Sequence, residues 1–156
     1  MRSMNKNKEE LDKLDKLILK ELTKDARQSY RKIAEKLKIS VGTAQNRIIK
    51  LEQKGIIKKY KATLDYEKLG YKVAAIIALC VDRKKLNEVE KKLSKIPNVF
   101  GLYEVTGEFD VFASVRFKDM RELDNFIREE LSDEAITKTV TFLILRTIKE
   151  GHTFLR

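Results

Sequence analysis

The chain has 156 residues, 42% hydrophobic and 37% charged, with a formal net charge of +10, which suits one domain or two small ones with modest cores and a heavily charged surface. No apolar run approaches the ~20 residues of a membrane span, and the opening M-R-S-M-N-K-N-K-E-E lacks the apolar segment of a signal peptide, so the protein is expected to stay where it is made, with no membrane partner. One cysteine, Cys80, and one histidine, His152, leave an internal disulfide, a Cys/His zinc site and a His-based catalytic triad short of members. No catalytic residue, metal or cofactor is expected.

The positive charge is unevenly spread. Residues 1–62 hold 18 Lys+Arg against 8 Asp+Glu, whereas residues 63–156 hold 16 of each. The whole excess lies in the first two-fifths of the chain. That asymmetry points to a nucleic-acid-facing N-terminal unit and a neutral C-terminal unit with another task.

After the polar segment Met1–Lys8, residues Glu9–Lys24 place Leu11, Leu14, Ile18 and Leu22 at helical spacing, which predicts a first helix with one buried face. Ser29 can cap a short second helix whose buried face is Ile33, Ala34 and Leu37. Only Lys38 and Ile39 separate it from the next cap, Ser40. From Ser40 a third helix runs to a stop signal at Lys54 and Gly55. Turning about 100° per residue, it sets Val41, Ala44, Ile48 and Leu51 on one side. Gly42, Thr43, Asn46, Lys50 and Gln53 fall on the other, with Gln45 and Arg47 on the flanks. Asn and Gln can pair bidentately with adenine, Thr can touch a thymine methyl, and Lys or Arg can take guanine or phosphate. An ordinary amphipathic surface helix would show the same periodicity. The tight corner before it makes the pair a helix-turn-helix.

Beyond Gly55 the β-branched, alternating I-I-K-K-Y-K-A-T-L predicts a basic strand flanking a winged helix-turn-helix. Its Lys58, Lys59 and Lys61 are placed to touch phosphates, which position a protein without specifying sequence. The expected divisions are a DNA-binding domain over 1–64, a linker over 65–71 and a second domain over 72–156.

The second domain repeats strand–helix–strand. Strands are predicted at Lys72–Asp82, Val99–Thr106, Phe109–Phe117 and Thr137–Ile148, and helices at Lys84–Ile96 and Met120–Leu131. The order βαββαβ is the ferredoxin-like arrangement, an antiparallel sheet with both helices on one face, so the fold class is α+β. The first strand is apolar on both sides, with Val73, Ala75, Ile77, Leu79 and Val81 on one and Ala74, Ile76, Ala78 and Cys80 on the other. The face without helices would stay exposed unless a second sheet covers it. A homodimer packed sheet against sheet is therefore expected, and it suits a protein reading a two-fold-related site.

With both halves read, the chain resembles the Lrp/AsnC (feast/famine) family of transcriptional regulators. The resemblance rests on L-D-K-L-D-K-L-I-L-K-E-L with D-A-R, I-A-E-K-L-K-I-S, R-I-I-K-L-E-Q-K-G-I-I-K-K-Y, the Leu69-Gly70 pair, and V-T-G-E-F-D at Val105–Asp110. It implies a sequence-specific regulator, activator or repressor, that binds double-stranded DNA at pseudo-palindromic sites and resides on the cytoplasmic nucleoid. Family members often assemble beyond dimers into octamers or open helical forms, which also implies possible contact with the transcription machinery. Arg27, Tyr30, Ser40, Gly42, Thr43, Gln45, Asn46, Arg47, Lys50, Lys58 and Lys59 form the resulting set of candidate DNA contacts. Where the family usually has glycine in the corner, this chain has Lys38; if Lys38 must be left-handed there, it costs roughly 1–2 kcal/mol.

The resemblance also implies a small effector, commonly an amino acid, held near the Thr106–Asp110 hairpin. Thr106, Gly107, Glu108 and Asp110 are its candidates, with Thr139, Thr141 and Leu143 from the strand said to line the pocket. The Asp110 carboxylate could take an amino group, and Gly107 lets backbone N–H groups approach a carboxylate. A tight hairpin in which Gly107 supplies φ > 0 and Asp110 caps the turn would use the same residues. Two other functions use the same features. An architectural, chromatin-like DNA-coating protein would use the basic half equally well. An enzyme on the ferredoxin-like domain would need partners that Glu104, Glu108 and Asp110 lack.

Overall fold

The computed structural model describes residues 11–150, so Met1–Lys8, the Glu9 start of the first helix and His152 lie outside the described residues. The described chain forms two compact units, one running to Thr63 and including Glu150, the other Leu64–Lys149.

The first unit is helical. In α1 (Lys13–Lys24), α2 (Tyr30–Leu37) and α3 (Val41–Gln53), the side chain of the preceding residue caps each helix. Asp12 accepts the Asp15 N–H at 2.8 Å, Ser29 the Lys32 N–H at 3.2 Å and Ser40 the Thr43 N–H at 3.0 Å. Each such cap contributes about 1 kcal/mol. Ile18, Leu22, Ile33, Ala34, Ala44, Ile48 and Leu51 close into one buried cluster, with Leu37 and Ile39 packed against it. That matches the spacing-based stripes except at Val41, which is 46% exposed. Val41 is the first helical residue of α3, and the packed cluster begins a turn later at Ala44.

The corner between α2 and α3 turns on Lys38, at φ 54° and ψ 47°. It is the only positive-φ residue other than glycine among those described. The Ile39 N–H reaches back to the Ala34 carbonyl at 3.0 Å, the six-to-one bond of a Schellman turn. The same device ends α3, where Gly55 has φ 67° and the Ile56 N–H meets the Leu51 carbonyl at 3.0 Å.

The strand expected over Ile56–Leu64 is absent as a strand. Those residues occupy the wing position but pair with no strand among the described residues. Alternation and β-branching suit a pleated surface, yet a strand exists only as part of a ladder, and sequence period alone supplies no partner.

The second unit runs β1 (Val73–Val81), α4 (Leu86–Leu93), β2 (Val99–Glu104), β3 (Val111–Phe117), α5 (Met120–Glu130) and β4 (Ile136–Leu143). The sheet order is β2-β3-β1-β4, antiparallel throughout. Register sorts the faces. Ala75, Ile77 and Leu79 stand opposite Val115, Ala113 and Val111, and all six join Val89 and Leu93 of α4 and Leu123 and Phe126 of α5 in the buried core. The other face carries Ala74, Ile76, Ala78 and Cys80 beside Phe112, Ser114, Arg116, Tyr103, Val140 and Phe142. Tyr103 and Phe142 there are 57% and 51% exposed.

Three limits differ from expectation. β4 stops at Leu143 rather than Ile148, because its partner β1 begins at Val73 and its last bond is Ile144 N–H to the Ala74 carbonyl. The β2–β3 hairpin opens earlier, at Val105–Asp110, closed by the Val105 N–H on the Asp110 carbonyl at 2.9 Å. The stretch read as a linker packs within the second unit. Tyr66 sits edge-on to Phe100 with ring centroids 4.8 Å apart, Tyr71 stands 6.4 Å from the same ring, and the Arg116 guanidinium lies 4.8 Å above Tyr66.

Candidate nucleic-acid interface and small-molecule cleft

The outward side of α3 is polar because its inward side is committed to the core. Gly42, Gln45, Asn46, Lys50 and Gln53 are exposed, while Ala44, Ile48 and Leu51 are buried. Asn46 presents an amide donor and acceptor and Lys50 a flexible cation, one turn apart. Thr43 is half-buried, and its hydroxyl lies 2.8 Å from the Ser40 hydroxyl, so the cap also fixes a side chain on the reading face.

Arg47 takes a different direction. Its guanidinium binds Asp12 and, at 3.1 Å, Asp15, both at the start of α1. The two carboxylates raise the Arg47 pKa. Asp12 is held below its ordinary value first by the Asp15 N–H and then by Arg47. In this structure Arg47 ties α3 to α1. Sequence spacing placed it on the flank but could not show where its partners were.

Arg27 and Tyr30 are exposed. Arg27, Lys58, Lys59 and Lys61 line a common cleft of about 860 Å³ in the first unit, with Ile56, Ile57 and the end of α1. Tyr30 shares a smaller cleft, about 380 Å³, with Tyr60 and Glu52. The Tyr60 hydroxyl donates to Glu52 at 2.7 Å, and burial, reinforced by that carboxylate, pushes its pKa up. Between α1 and α2, Gln28 is buried, donating to the Glu21 and Asp25 carbonyls and accepting from Lys36 at 2.6 Å. Lys36 and Lys24 both bind Glu21, at 2.8 and 2.6 Å, and hold its pKa at about 2. This network had no signature in the periodicity, since Gln28 lies in the α1–α2 connection.

In the second unit Thr106, Gly107 and Asp110 line a cleft of about 540 Å³ together with Arg83, Leu86, Glu104 and Val105. Gly107 has φ 127°, a conformation open to glycine and costly for a side chain. The Asp110 carboxylate accepts the Val81 N–H at 2.8 Å where the β1–β4 register shifts between Cys80 and Val81. It therefore pins the hairpin to the end of β1 and holds its charge at the cleft. Arg83, which no sequence motif marks, lines the same wall. Glu108 points to Lys138 instead, 2.7 Å away, with the ammonium 5.0 Å from the Phe109 ring centre. Thr139, Thr141 and Leu143 lie on β4, opposite Leu79, Ile77 and Ala75, and do not line this cleft. The described residues include no His/Cys/Asp/Glu group able to hold a metal ion, and no described helix is long and apolar enough to cross a membrane.

Comparison with known proteins accounts for both units. Residues 11–58 match a winged helix-turn-helix DNA-binding family profile, and residues 74–154 match the Lrp/AsnC ligand binding domain. HTH-type transcriptional regulator PH1692 of Pyrococcus horikoshii is 41% identical over 141 residues, covering 90% of this chain and 95% of that protein. Escherichia coli AsnC superposes with a TM-score of 0.86 at 25% identity, over 92% of this chain and 98% of AsnC. Transcriptional regulator NMB0573 of Neisseria meningitidis, solved as a complex with L-Met, superposes with a TM-score of 0.87 at 26% identity, over 94% and 96% of the two chains.

Proposed function

The chain belongs to the Lrp/AsnC family of DNA-binding transcriptional regulators, and we propose that α3 reads a pseudo-palindromic site through Thr43, Gln45, Asn46 and Lys50 in the major groove. The observation that carries this is the polar side of α3, exposed in a helix-turn-helix within residues 1–62, which together hold the chain's entire excess of positive charge. Asn46 supplies base discrimination. Ser40 and Gly42 bring the start of the helix near a phosphate, and Arg27, Tyr30, Lys58 and Lys59 set its register on the backbone.

The second unit supports a homodimer formed through the open sheet face, where Ile76, Phe112, Tyr103 and Phe142 leave apolar surface that a second copy would bury. Two copies of α3 then address two half-sites about one helical turn, or a multiple of it, apart. Assembly of dimers into an octamer and contact with the transcription machinery extend the same reading. The effector is an amino acid taken at the hairpin cleft. Arg83 is suited to its carboxylate, Glu104 and the fixed Asp110 to its ammonium, and Gly107 to close backbone approach, while Thr106, Glu108 and the β4 residues Thr139, Thr141 and Leu143 complete the site when copies assemble. The Neisseria relative was solved as a complex with L-Met; in this chain such a ligand would act by favouring one assembly over another.

Binding-site selection on random DNA, run with and without a pool of amino acids, tests the proposal. A symmetric motif whose recovery or spacing depends on the pool supports it. Recovery of sequences sharing no motif would refute sequence-specific reading.

A further inference from the structure

We propose that the outer face of α1 is a second DNA-binding surface, one that holds a duplex other than the one read by α3; the inference rests on the DNA-binding reading above. It starts from the way α1 sorts its charges. At about 100° per residue, Lys13, Lys16, Lys20 and Lys24 share the side opposite Leu14, Ile18 and Leu22, which pack on the helical core.

The described acidic residues within α1 and at its N-cap are drawn to its flanks. Asp12 and Asp15 bind Arg47 of α3, and Glu21 binds Lys36 of α2 as well as Lys24. Lys13, Lys16 and Lys20 have no ion-pair partner among the described residues. The helix thus presents a row of lysines, from Lys13 to Lys20 about 10 Å long at 1.5 Å per residue, with no carboxylate between them. Among the described residues, Leu17 is the only exposed large apolar side chain beside them, at 39% exposure.

Such a row fits phosphate better than a protein partner. Ammonium groups bind phosphates as point charges and need no shaped pocket, whereas a protein interface needs a buried apolar centre that Leu17 alone does not make. The row is also misplaced for the duplex on α3. The polar side of α3 faces away from the cluster that its Ala44, Ile48 and Leu51 enter, and the lysine side of α1 faces away from the same cluster. The two surfaces therefore look outward from different sides of one three-helix unit. A stiff duplex lying on one of them does not reach the other without sharp bending.

The test uses the full chain and its Lys13→Gln, Lys16→Gln, Lys20→Gln triple variant, which leaves every cap and the buried cluster intact. Protein is saturated on an immobilised short duplex containing its selected site. Capture of a second, labelled duplex of unrelated sequence is then measured against salt. The wild type is expected to capture it with a log–log salt slope steeper by about 2.7 than the variant, as three phosphate contacts require. Between 50 and 200 mM salt that is about a 40-fold greater loss. Affinity of wild type and variant for the short site duplex alone is expected to agree within about two-fold, which also shows that the variant is folded. Equal capture by both proteins, or none by the wild type, overturns the proposal and leaves a solvated lysine face. Equal weakening on the single short duplex overturns it too, by placing α1 in the primary interface. A loss seen only on a long single duplex assigns the lysines to flanking DNA and overturns the second-duplex reading.

Discussion

Replacing Lys38 by glycine should stabilise the protein. Lys38 is left-handed at φ 54°, where its Cβ crowds the backbone at a cost of roughly 1–2 kcal/mol. Glycine removes that cost but widens the unfolded ensemble, which returns roughly 0.5–1 kcal/mol. The expected net gain is therefore about 0.5–1 kcal/mol, or about 2–8 °C in the melting midpoint of the first unit. The Schellman bond from Ile39 to Ala34 involves backbone atoms only, so it survives the change. Lys38→Ala is the control, since alanine keeps the Cβ and should stay within about 0.5 kcal/mol of wild type. Urea unfolding followed by far-ultraviolet circular dichroism, which weights the helical unit, would read the midpoints. A glycine variant no more stable than the alanine variant would refute the claim that the corner is strained.

Three further outcomes follow from the same geometry. Lys59→Ala should weaken all DNA sequences alike and lower the log–log salt slope by about one; a change in base preference would place Lys59 in the groove instead. Phe142→Glu puts a charge opposite Ile76 on the open sheet face, so sedimentation should show dissociation to monomer with the far-ultraviolet spectrum retained. An unchanged sedimentation coefficient would show that another surface makes the dimer. For Glu21 the folded pKa is depressed from 4.5 to about 2. Its contribution is thus fully present above pH 4.5 and is lost as the pH falls toward 2. Glu21→Gln should therefore lower stability near neutral pH and flatten the acid limb of the stability profile, and identical acid limbs would contradict the pairing with Lys24 and Lys36.

Much of the fold was legible because it is written in local signals. Ser29, Ser40 and Gly55 mark helix ends through chemistry that works over three or four residues. The two faces of β1 followed from period two alone, and the repeated strand–helix–strand order led to the antiparallel βαββαβ arrangement. What the sequence did not carry was pairing at a distance. Ile56–Leu64 has a strand's pattern without a strand's partner among the described residues, and β4 ends where its antiparallel partner β1 begins, a fact that Ile144–Ile148 do not encode. The candidate sites divide in the same way. Asn46 and Lys50 are exposed on α3 as helical spacing required. Arg47 has the same spacing credentials, yet its position is decided by Asp12 and Asp15, more than thirty residues away. At the hairpin cleft, Gly107 and Asp110 were visible as a motif, whereas Arg83 reaches the same wall only through the fold.

The claim at the centre of the account is that the exposed side of α3 discriminates bases. Its most direct test is the affinity of wild type and Asn46→Ala for the selected site, for each single-base variant of it and for unrelated DNA, all at one salt concentration. The account predicts that Asn46→Ala loses about 1–3 kcal/mol of discrimination at one base pair per half-site, where adenine is preferred, with affinity for unrelated DNA unchanged. If the variant kept the wild-type preference at every position, or lost affinity for all sequences equally, α3 would not be reading the groove through Asn46.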